Sequence, residues 1–473
     1  MMNKSFLVLC AVLLIAATTA QVSVEASSRT DKSASGKSRP NILFMLTDDQ
    51  RFDDMGCMGN KIIQTPNLDK LAGDGVIFNN AFVTTAICCS SRASILTGQH
   101  MRRHRIYDFA TPLSSEAMDN TYPVLLRKSG YRTGFLGKMA IGSPSEKIRH
   151  LSLPADKFDF WFGFPQSINF RQVIDGKERF LTTVLAEKAV EFLRTNPADK
   201  PFCLSISFKS PHGPWNFFDP DAPNPYENTE IPPPASYTRG DYEAQPKFLR
   251  ESLNGSGEWP KDPRKRFLDN ARTCYRLITG MDSAVGRIMT ALEELGLDDN
   301  TIVIFTSDHS SLRGTHGLFG KWIMYEESIR APLIVRDPRL PAELRGTRRD
   351  QMVLNIDFAP TMLAMGGVPA PPQMQGRDFG PLLRGEPIEW RSEWFYEHTY
   401  NTKPPRRPIA KSEGVRTERW KYIRYIERDP VYEQLFDLKS DPGEERNLAG
   451  SSEYVAALAD MRARWERLGR EAR

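Results

Sequence analysis

Asn41-Ile42-Leu43-Phe44-Met45-Leu46 is an unbroken apolar run that halts at Thr47-Asp48-Asp49. A strand with one face in water alternates apolar and polar residues, whereas a strand covered on both faces, as in a parallel sheet packed by helices, stays apolar along its length. Three further runs read the same way: Phe202 to Phe208, Thr301 to Thr306 and Ala331 to Val335. Between them lie helical patterns, the best formed by Cys274, Leu277, Ile278, Met281, Val285, Ile288, Met289, Leu292 and Leu295. Strands alternating with helices predict an α/β fold class, a large, mostly parallel sheet sandwiched by helices. Open sheets of this kind bind ligands at the carboxyl ends of their strands. Three of the runs end there in polar clusters, Asp48-Asp49, Lys209-Ser210-Pro211-His212 and Asp308-His309, which are expected to meet at one edge.

A chain of 473 residues outgrows a single hydrophobic core, so a large domain with a smaller companion is expected. After about Glu386 the pattern shifts to short alternating segments, Trp394 to Tyr400, Gly414 to Tyr425 and Tyr432 to Leu438, then a helix from Ser452 onward. This predicts a smaller C-terminal antiparallel sheet carrying a helix. The expected organisation is a signal peptide over 1–20, a disordered leader over 21–38, a main domain over 39–385 and a C-terminal subdomain over 386–473. The signal reading rests on Lys4, the apolar stretch Phe6 to Ala17 and the small residues Thr18 and Ala20, and it implies export to the periplasm or beyond the cell. That stretch is too short to span a bilayer and no later one reaches spanning length, so no membrane partner is expected. From Gly213 to about Lys265, Trp215, Phe217, Phe218, Tyr226 and Tyr237 stand among Pro, Asn and Asp, which reads as long loops of the kind that carry substrate contacts.

The hydrophobic fraction of 40%, the charged fraction of 26% and the formal charge of +4 are those of an ordinary globular protein, and they give no argument for a nucleic-acid partner. Basic residues gather in Arg406, Arg407, Lys411, Arg416, Arg419, Lys421 and Arg424, which read first as a solvated sheet face and second as a patch for an anionic polymer. Loss of Cys10 with the signal leaves Cys57, Cys88, Cys89, Cys203 and Cys274, an odd set without zinc-binding spacing, so at least one is unpaired or chemically special. Asn254-Gly255-Ser256 is a lone glycosylation sequon.

The densest chemical signal is Cys88-Cys89-Ser90-Ser91-Arg92-Ala93-Ser94-Ile95-Leu96-Thr97-Gly98. It places a sulfur nucleophile at a helix N-terminus beside a fixed positive charge, an arrangement that stabilises an anion. A buried structural cysteine is the alternative. Asp48, Asp49 and Asp308 offer hard oxygen donors suited to calcium or magnesium. For the first pair alone, a helix cap is the competing reading, and Asp308 with His309 tips the balance toward metal.

The stretch from Cys88 to Gly98 resembles the signature of the type I sulfatases of the alkaline-phosphatase-like superfamily, cysteine-x-proline-serine-arginine leading to leucine-threonine-glycine, with Ser90 here in place of the proline. Further landmarks of that family recur in order: Arg39-Pro40-Asn41 to Gln50, Thr65-Pro66-Asn67-Leu68-Asp69, Pro211-His212-Gly213-Pro214, Thr306-Ser307-Asp308-His309, Lys321 ahead of Tyr325-Glu326, and Leu435-Phe436-Asp437-Leu438 with Asp441-Pro442-Gly443-Glu444. The Cys88-Cys89 pair is similar to that of the glycan-active branch represented by N-acetylglucosamine-6-sulfatase and iduronate-2-sulfatase. The resemblance implies a hydrolase that removes sulfate from a sulfated carbohydrate, with Cys88 converted to formylglycine (3-oxoalanine) by a formylglycine-generating enzyme. It implies Ca2+ held by Asp48, Asp49, Asp308, His309 and position 88. It also implies Cys88, Arg92, Lys138, His212 and Lys321 as catalytic residues, with Lys138, His212 and Lys321 also holding substrate.

Sulfate-ester hydrolysis needs the charge of the sulfate neutralised and the leaving oxygen protonated, which these cations, a metal and His212 or Lys321 are suited to supply. His104, just past the nucleophile helix, is a further expected substrate contact, and His100 lies in the same stretch. One departure stands out. Gly137-Lys138-Met139-Ala140 falls where the family has lysine-x-histidine, so Ala140 removes a group that assists the formylglycine hydroxyl, and Ser310 replaces a common glycine. A phosphate mono- or diesterase of the same superfamily and an impaired relative that binds sulfated glycans stay open as other readings.

Overall fold

The computed structural model describes residues 39–473 apart from 144–152, 167–168, 175, 216, 218, 220–223 and 403–405. The expected signal peptide and leader, and Phe218, lie outside the described residues. Strands β1 (Asn41–Thr47), β2 (Val76–Phe78), β3 (Arg132–Lys138), β4 (Phe160–Phe164), β5 (Phe202–Ser207), β6 (Thr301–Ser307), β7 (Leu333–Arg336) and β8 (Thr347–Arg349) form one sheet in the order β8-β2-β7-β6-β1-β5-β3-β4. The run from β6 through β1, β5 and β3 to β4 is parallel, and β7 runs antiparallel to both its neighbours.

The unbroken apolarity of β1 has the cause expected of it. Ile42, Phe44 and Leu46, with Ile302 and Ile304, fill a core beneath helices α2 (Cys88–Thr97), α3 (Tyr122–Lys128) and α6 (Phe358–Met365). Leu43 and Met45, with Val303 and Phe305, fill a second core on the opposite face, beneath α1 (Pro66–Gly73), α4 (Leu181–Arg194) and α5 (Pro263–Glu294). Alternate side chains of one strand thus serve two cores, and each buried Ile, Leu or Phe contributes about 1.5–3 kcal/mol.

The segment Ala331 to Val335, expected as one strand, is broken at Pro332. Arg330–Ala331 pairs with Ala81–Phe82 in a small separate sheet, and β7 begins only at Leu333. Proline has no N–H to give a ladder, so the chain changes sheets there. The C-terminal strands β9 (Glu393–His398), β10 (Ser412–Thr417), β11 (Trp420–Tyr425) and β12 (Tyr432–Asp437) form an antiparallel meander in sequence order. Helix α7 (Val455–Glu471) packs Leu458 and Met461 against Phe395, Val415, Tyr422 and Leu435 of that sheet. Arg39–Arg473 form one compact unit.

Two expectations are corrected here. The basic cluster is not simply a solvated face: Arg416 and Lys421 are buried, both reach Glu326, and Lys421 also reaches Glu444. Of the loop aromatics, Tyr226 and Tyr237 are core residues; the Tyr226 hydroxyl accepts from Gln64 N and contacts Thr279, and Tyr237 packs on Trp259, Phe267 and Phe319. Among the described residues no helix is long and apolar enough to cross a membrane.

Candidate active site

Four neighbouring parallel strands end at the same edge of the sheet, and each delivers a functional side chain there. β1 runs into Asp48 and Asp49, β6 into Asp308 and His309, β3 ends at Lys138, and β5 continues to His212. Consecutive residues of a strand point to opposite faces. Asp49 breaks that alternation with a left-handed backbone (φ 70°), so Asp48 and Asp49 both turn into the cluster. Gly137 (φ 91°) is the residue that lets Lys138 come in: a Cβ at this position would run into the carbonyl oxygen of Ser207 on β5.

Cys88 opens α2 and is 2% exposed. Its Sγ lies 3.4 Å from Lys138 Nζ, 3.4 Å from Lys321 Nζ and 3.4 Å from His309 Nε2, and 3.6 Å from Asp48 Oδ1. Lys138 also pairs with Asp48, and Lys321 lies 2.6 Å from Asp49. His309 Nδ1 is 3.1 Å from Asp49 and His212 Nε2 is 3.6 Å from Asp49. Arg92, one turn into α2, does not touch the sulfur. It donates through Nε to Asp308 at 2.9 Å and through Nη1 to the Lys138 carbonyl at 2.7 Å and to Ser207, and it lies 3.3 Å from Asp48. Its position is that of a brace for two carboxylates and for the end of β3.

The electrostatics follow from this crowding. Burial and Asp48 oppose ionisation of Cys88, but Lys138, Lys321 and His309 outweigh them and hold the thiol well below its ordinary range. Burial likewise opposes the carboxylates of Asp48 and Asp49, yet Lys138 and Lys321 respectively keep both ionised. Asp308 is pushed up to about 6, by burial and then by the charge of Asp48. His309 is raised to about 10 by Asp308 against the effect of burial. Donor atoms of Asp48, Cys88, Asp308 and His309 all lie within 4.8 Å of one another, as do those of Asp48, Asp49 and His212. Three carboxylates stand in this set beside one thiol and two imidazoles, and the acid crowding that raises Asp308 is what a hard divalent cation relieves, so the carboxylates fit a calcium-type ion.

Cys88, Arg92, Lys138, His212, Lys321, Asp48, Asp49, Asp308 and His309 are therefore brought together. His104 is not. It is buried, its Nδ1 accepts from Ile106 N at 3.0 Å and its Nε2 meets Ser94 Oγ at 3.1 Å, and burial pushes it down to about 3, so it is a satisfied core histidine. His100 is buried as well, against Phe395. Asn254 of the sequon has no solvent exposure and donates to the carbonyls of Phe319 at 2.9 Å and Lys321 at 2.7 Å, so it fastens the lysine loop and is closed to glycosylation. Ala140 is buried with φ 60° and leaves its side of the cluster without an imidazole, while His309 supplies one against Cys88 from β6. A cavity of about 220 Å³ is walled by Arg51, Trp215, Tyr275, Arg313 and Phe319. Arg51 and Arg313 are matched there by Asp53 and Asp54. Sequence reasoning placed Lys209 in the cluster at this edge without giving it a role; its ammonium shares the electrostatic field of the cluster.

Comparison with known proteins gives a consistent picture. The Sulfatase family model matches residues 40–368, and the model "N-sulphoglucosamine sulphohydrolase, C-terminal" matches residues 314–471. An N-acetylglucosamine-6-O-sulfatase of Bacteroides thetaiotaomicron is 30% identical over 89% of this chain and 85% of its own length. The N-acetylglucosamine-6-sulfatase of Capra hircus is 29% identical over 88% of this chain and 81% of its own. A solved structure in complex with its substrate D-glucosamine-2-N,6-O-disulfate superposes with a TM-score of 0.80 and 28% identity, covering 92% of this chain and 98% of that one.

Proposed function

The chain belongs to the sulfatase family, and from that premise we propose that it hydrolyses sulfate esters of sulfated carbohydrates at position 88, as an exported enzyme. The observation that carries this reading is the Cys88 sulfur held 3.4 Å from each of Lys138, Lys321 and His309 at the edge where the carboxylates gather. The names of the relatives support the carbohydrate class.

Lys138 and Lys321 face the position of the Cys88 sulfur and are placed to hold the oxygens of a sulfate brought against it. Arg92 pairs with Asp48 and Asp308 and orients them. His212, half-buried at the rim, is placed to give a proton to the departing sugar oxygen. As formylglycine, position 88 would supply a hydrated aldehyde, one hydroxyl to attack sulfur and a second to let sulfate go. A Ca2+ held by Asp48, Asp49, Asp308 and His309 would add positive charge toward the sulfate oxygens.

Peptide mass spectrometry of protein made together with a formylglycine-generating enzyme is expected to show a loss of about 18 Da at Cys88, the change from thiol to aldehyde. The modified protein is expected to release sulfate from 6-sulfated sugars with calcium and to turn over the matching phosphate esters more slowly. A Cys88 that stays a thiol under conditions that mature a control sulfatase, or phosphate release that outruns sulfate release, would sink the proposal.

A further inference from the structure

Lys209 stands just past β5, three residues before His212, and is 8% exposed. Among the described residues its ammonium has no carboxylate partner and no hydrogen-bond acceptor; its one close partner is the ring of Phe170, 5.0 Å away. The other cations at the edge are matched, Arg92 by Asp48 and Asp308, Lys138 by Asp48 and Lys321 by Asp49. Burial and then Lys138 disfavour the charge on Lys209, while Asp48, Cys88 and Asp49 favour it. The ammonium is therefore inside the field of the cluster without touching any member of it. Burying most of a side chain that carries an unmatched charge is costly, and an apolar side chain of the same length would fill the place without that cost, while the little exposure that remains leaves the ammonium open to a ligand. Among the described residues no counter-charge is supplied, and an anionic ligand is suited to supply it. Lys138 and Lys321 already reach the reacting position, which leaves Lys209 for a neighbouring substituent.

We infer that Lys209 binds a second anionic group of the substrate, a sulfate or a carboxylate carried on the sugar beside the scissile sulfate ester. This rests on the sulfatase reading of the site and adds a specificity to it: multiply charged sugars are preferred over singly sulfated ones, and Lys209 is the residue that sets the preference.

The test measures binding without turnover, in full-length protein carrying Cys88→Ala, with and without Lys209→Met. Three probes are titrated calorimetrically: N-acetylglucosamine 6-sulfate, glucosamine 2-N,6-O-disulfate, and an N-acetylglucosamine 6-sulfate linked to a uronic acid. Lys209→Met is expected to weaken one or both of the doubly charged probes at least about tenfold more than the singly charged one, the loss expected of an ion pair shielded from water. Whichever probe suffers identifies sulfate or carboxylate as the partner, and Lys209→Arg is expected to retain most of the preference. Equal losses on all three probes, or none, overturn the inference while leaving the sulfatase reading intact. Failure of the Cys88→Ala protein to bind any sulfated sugar overturns that reading and the inference together. The thermal midpoint of each variant separates a binding defect from a folding one.

Discussion

Lys321 cannot be both the fixed cation of the site and its proton donor. Burial opposes its charge, but Asp49, 2.6 Å away, and Cys88 hold the ammonium above the ordinary lysine range, so the proton stays. His212 stands at the rim, with Nε2 3.6 Å from Asp49 and one edge toward solvent. General-acid help matters most when the leaving oxygen is a poor leaving group. His212→Ala is therefore expected to lower kcat/KM on a sugar sulfate by about 10²–10⁴ and on nitrophenyl sulfate by about tenfold or less. Equal losses on the two substrates would make His212 a binding residue. Asp48, Asp49, His212, Asp308 and His309 were legible because each follows an apolar run read as a buried strand, and strand ends meet, whereas Lys138 and Lys321 entered through the family resemblance. The surroundings of Lys209 and Asn254 were not legible: whether an ammonium meets only the Phe170 ring, or an amide is spent on the Lys321 carbonyl, depends on segments 39 and 67 positions away.

The short helix Glu326–Ile329 follows the loop that carries Lys321, and its first N–H is donated to Glu444 in the closing Asp441-Pro442-Gly443-Glu444 segment at 2.7 Å. Lys421 of β11 lies between Glu326 at 2.8 Å and Glu444 at 2.7 Å. One ammonium serves two buried carboxyls, so they share the burden unequally: Glu326 stays low, and Glu444 is raised from 4.5 to about 7, chiefly by burial. A carboxyl whose folded value lies above its unfolded one contributes stability that is complete below the unfolded value and lost as pH rises through the folded one. Between about pH 4.5 and 7 the wild-type thermal midpoint is expected to fall more steeply than that of Glu444→Gln. Parallel curves would remove Glu444 from this role. The same closing segment was recognisable in sequence as a motif, but its task of anchoring the lysine loop was not. β3 also went unread, because Gly134 and Gly137, which permit its close packing on β5, interrupt the apolar pattern that marks its neighbours.

The segment just past α2 is joined to the C-terminal sheet through Arg102. Its guanidinium donates to Glu397 of β9 at 2.8 Å, to Glu413 of β10 at 2.9 Å and to the Gly469 carbonyl of α7 at 2.6 Å, and it lies over the Phe395 ring at 4.4 Å. Burial already pushes the Glu397 carboxyl up, with Arg102 as its main relief. Arg102→Met is expected to destabilise the protein by about 3–5 kcal/mol in denaturant unfolding, with part recovered by adding Glu397→Gln, because the larger share of the loss is an abandoned buried charge. A loss below about 1 kcal/mol would place the joint elsewhere. The depth of Cys88 has a consequence for the order of events in the life of the chain. At 2% exposure, at the start of α2 and ringed by two lysines and an imidazole, its sulfur is beyond the grasp of another enzyme once the sheet has closed. Under the formylglycine reading proposed above, maturation would then be a race of oxidation against folding. A variant that folds faster should leave more molecules sealed as inert thiols, and one that lingers unfolded should yield a larger active fraction.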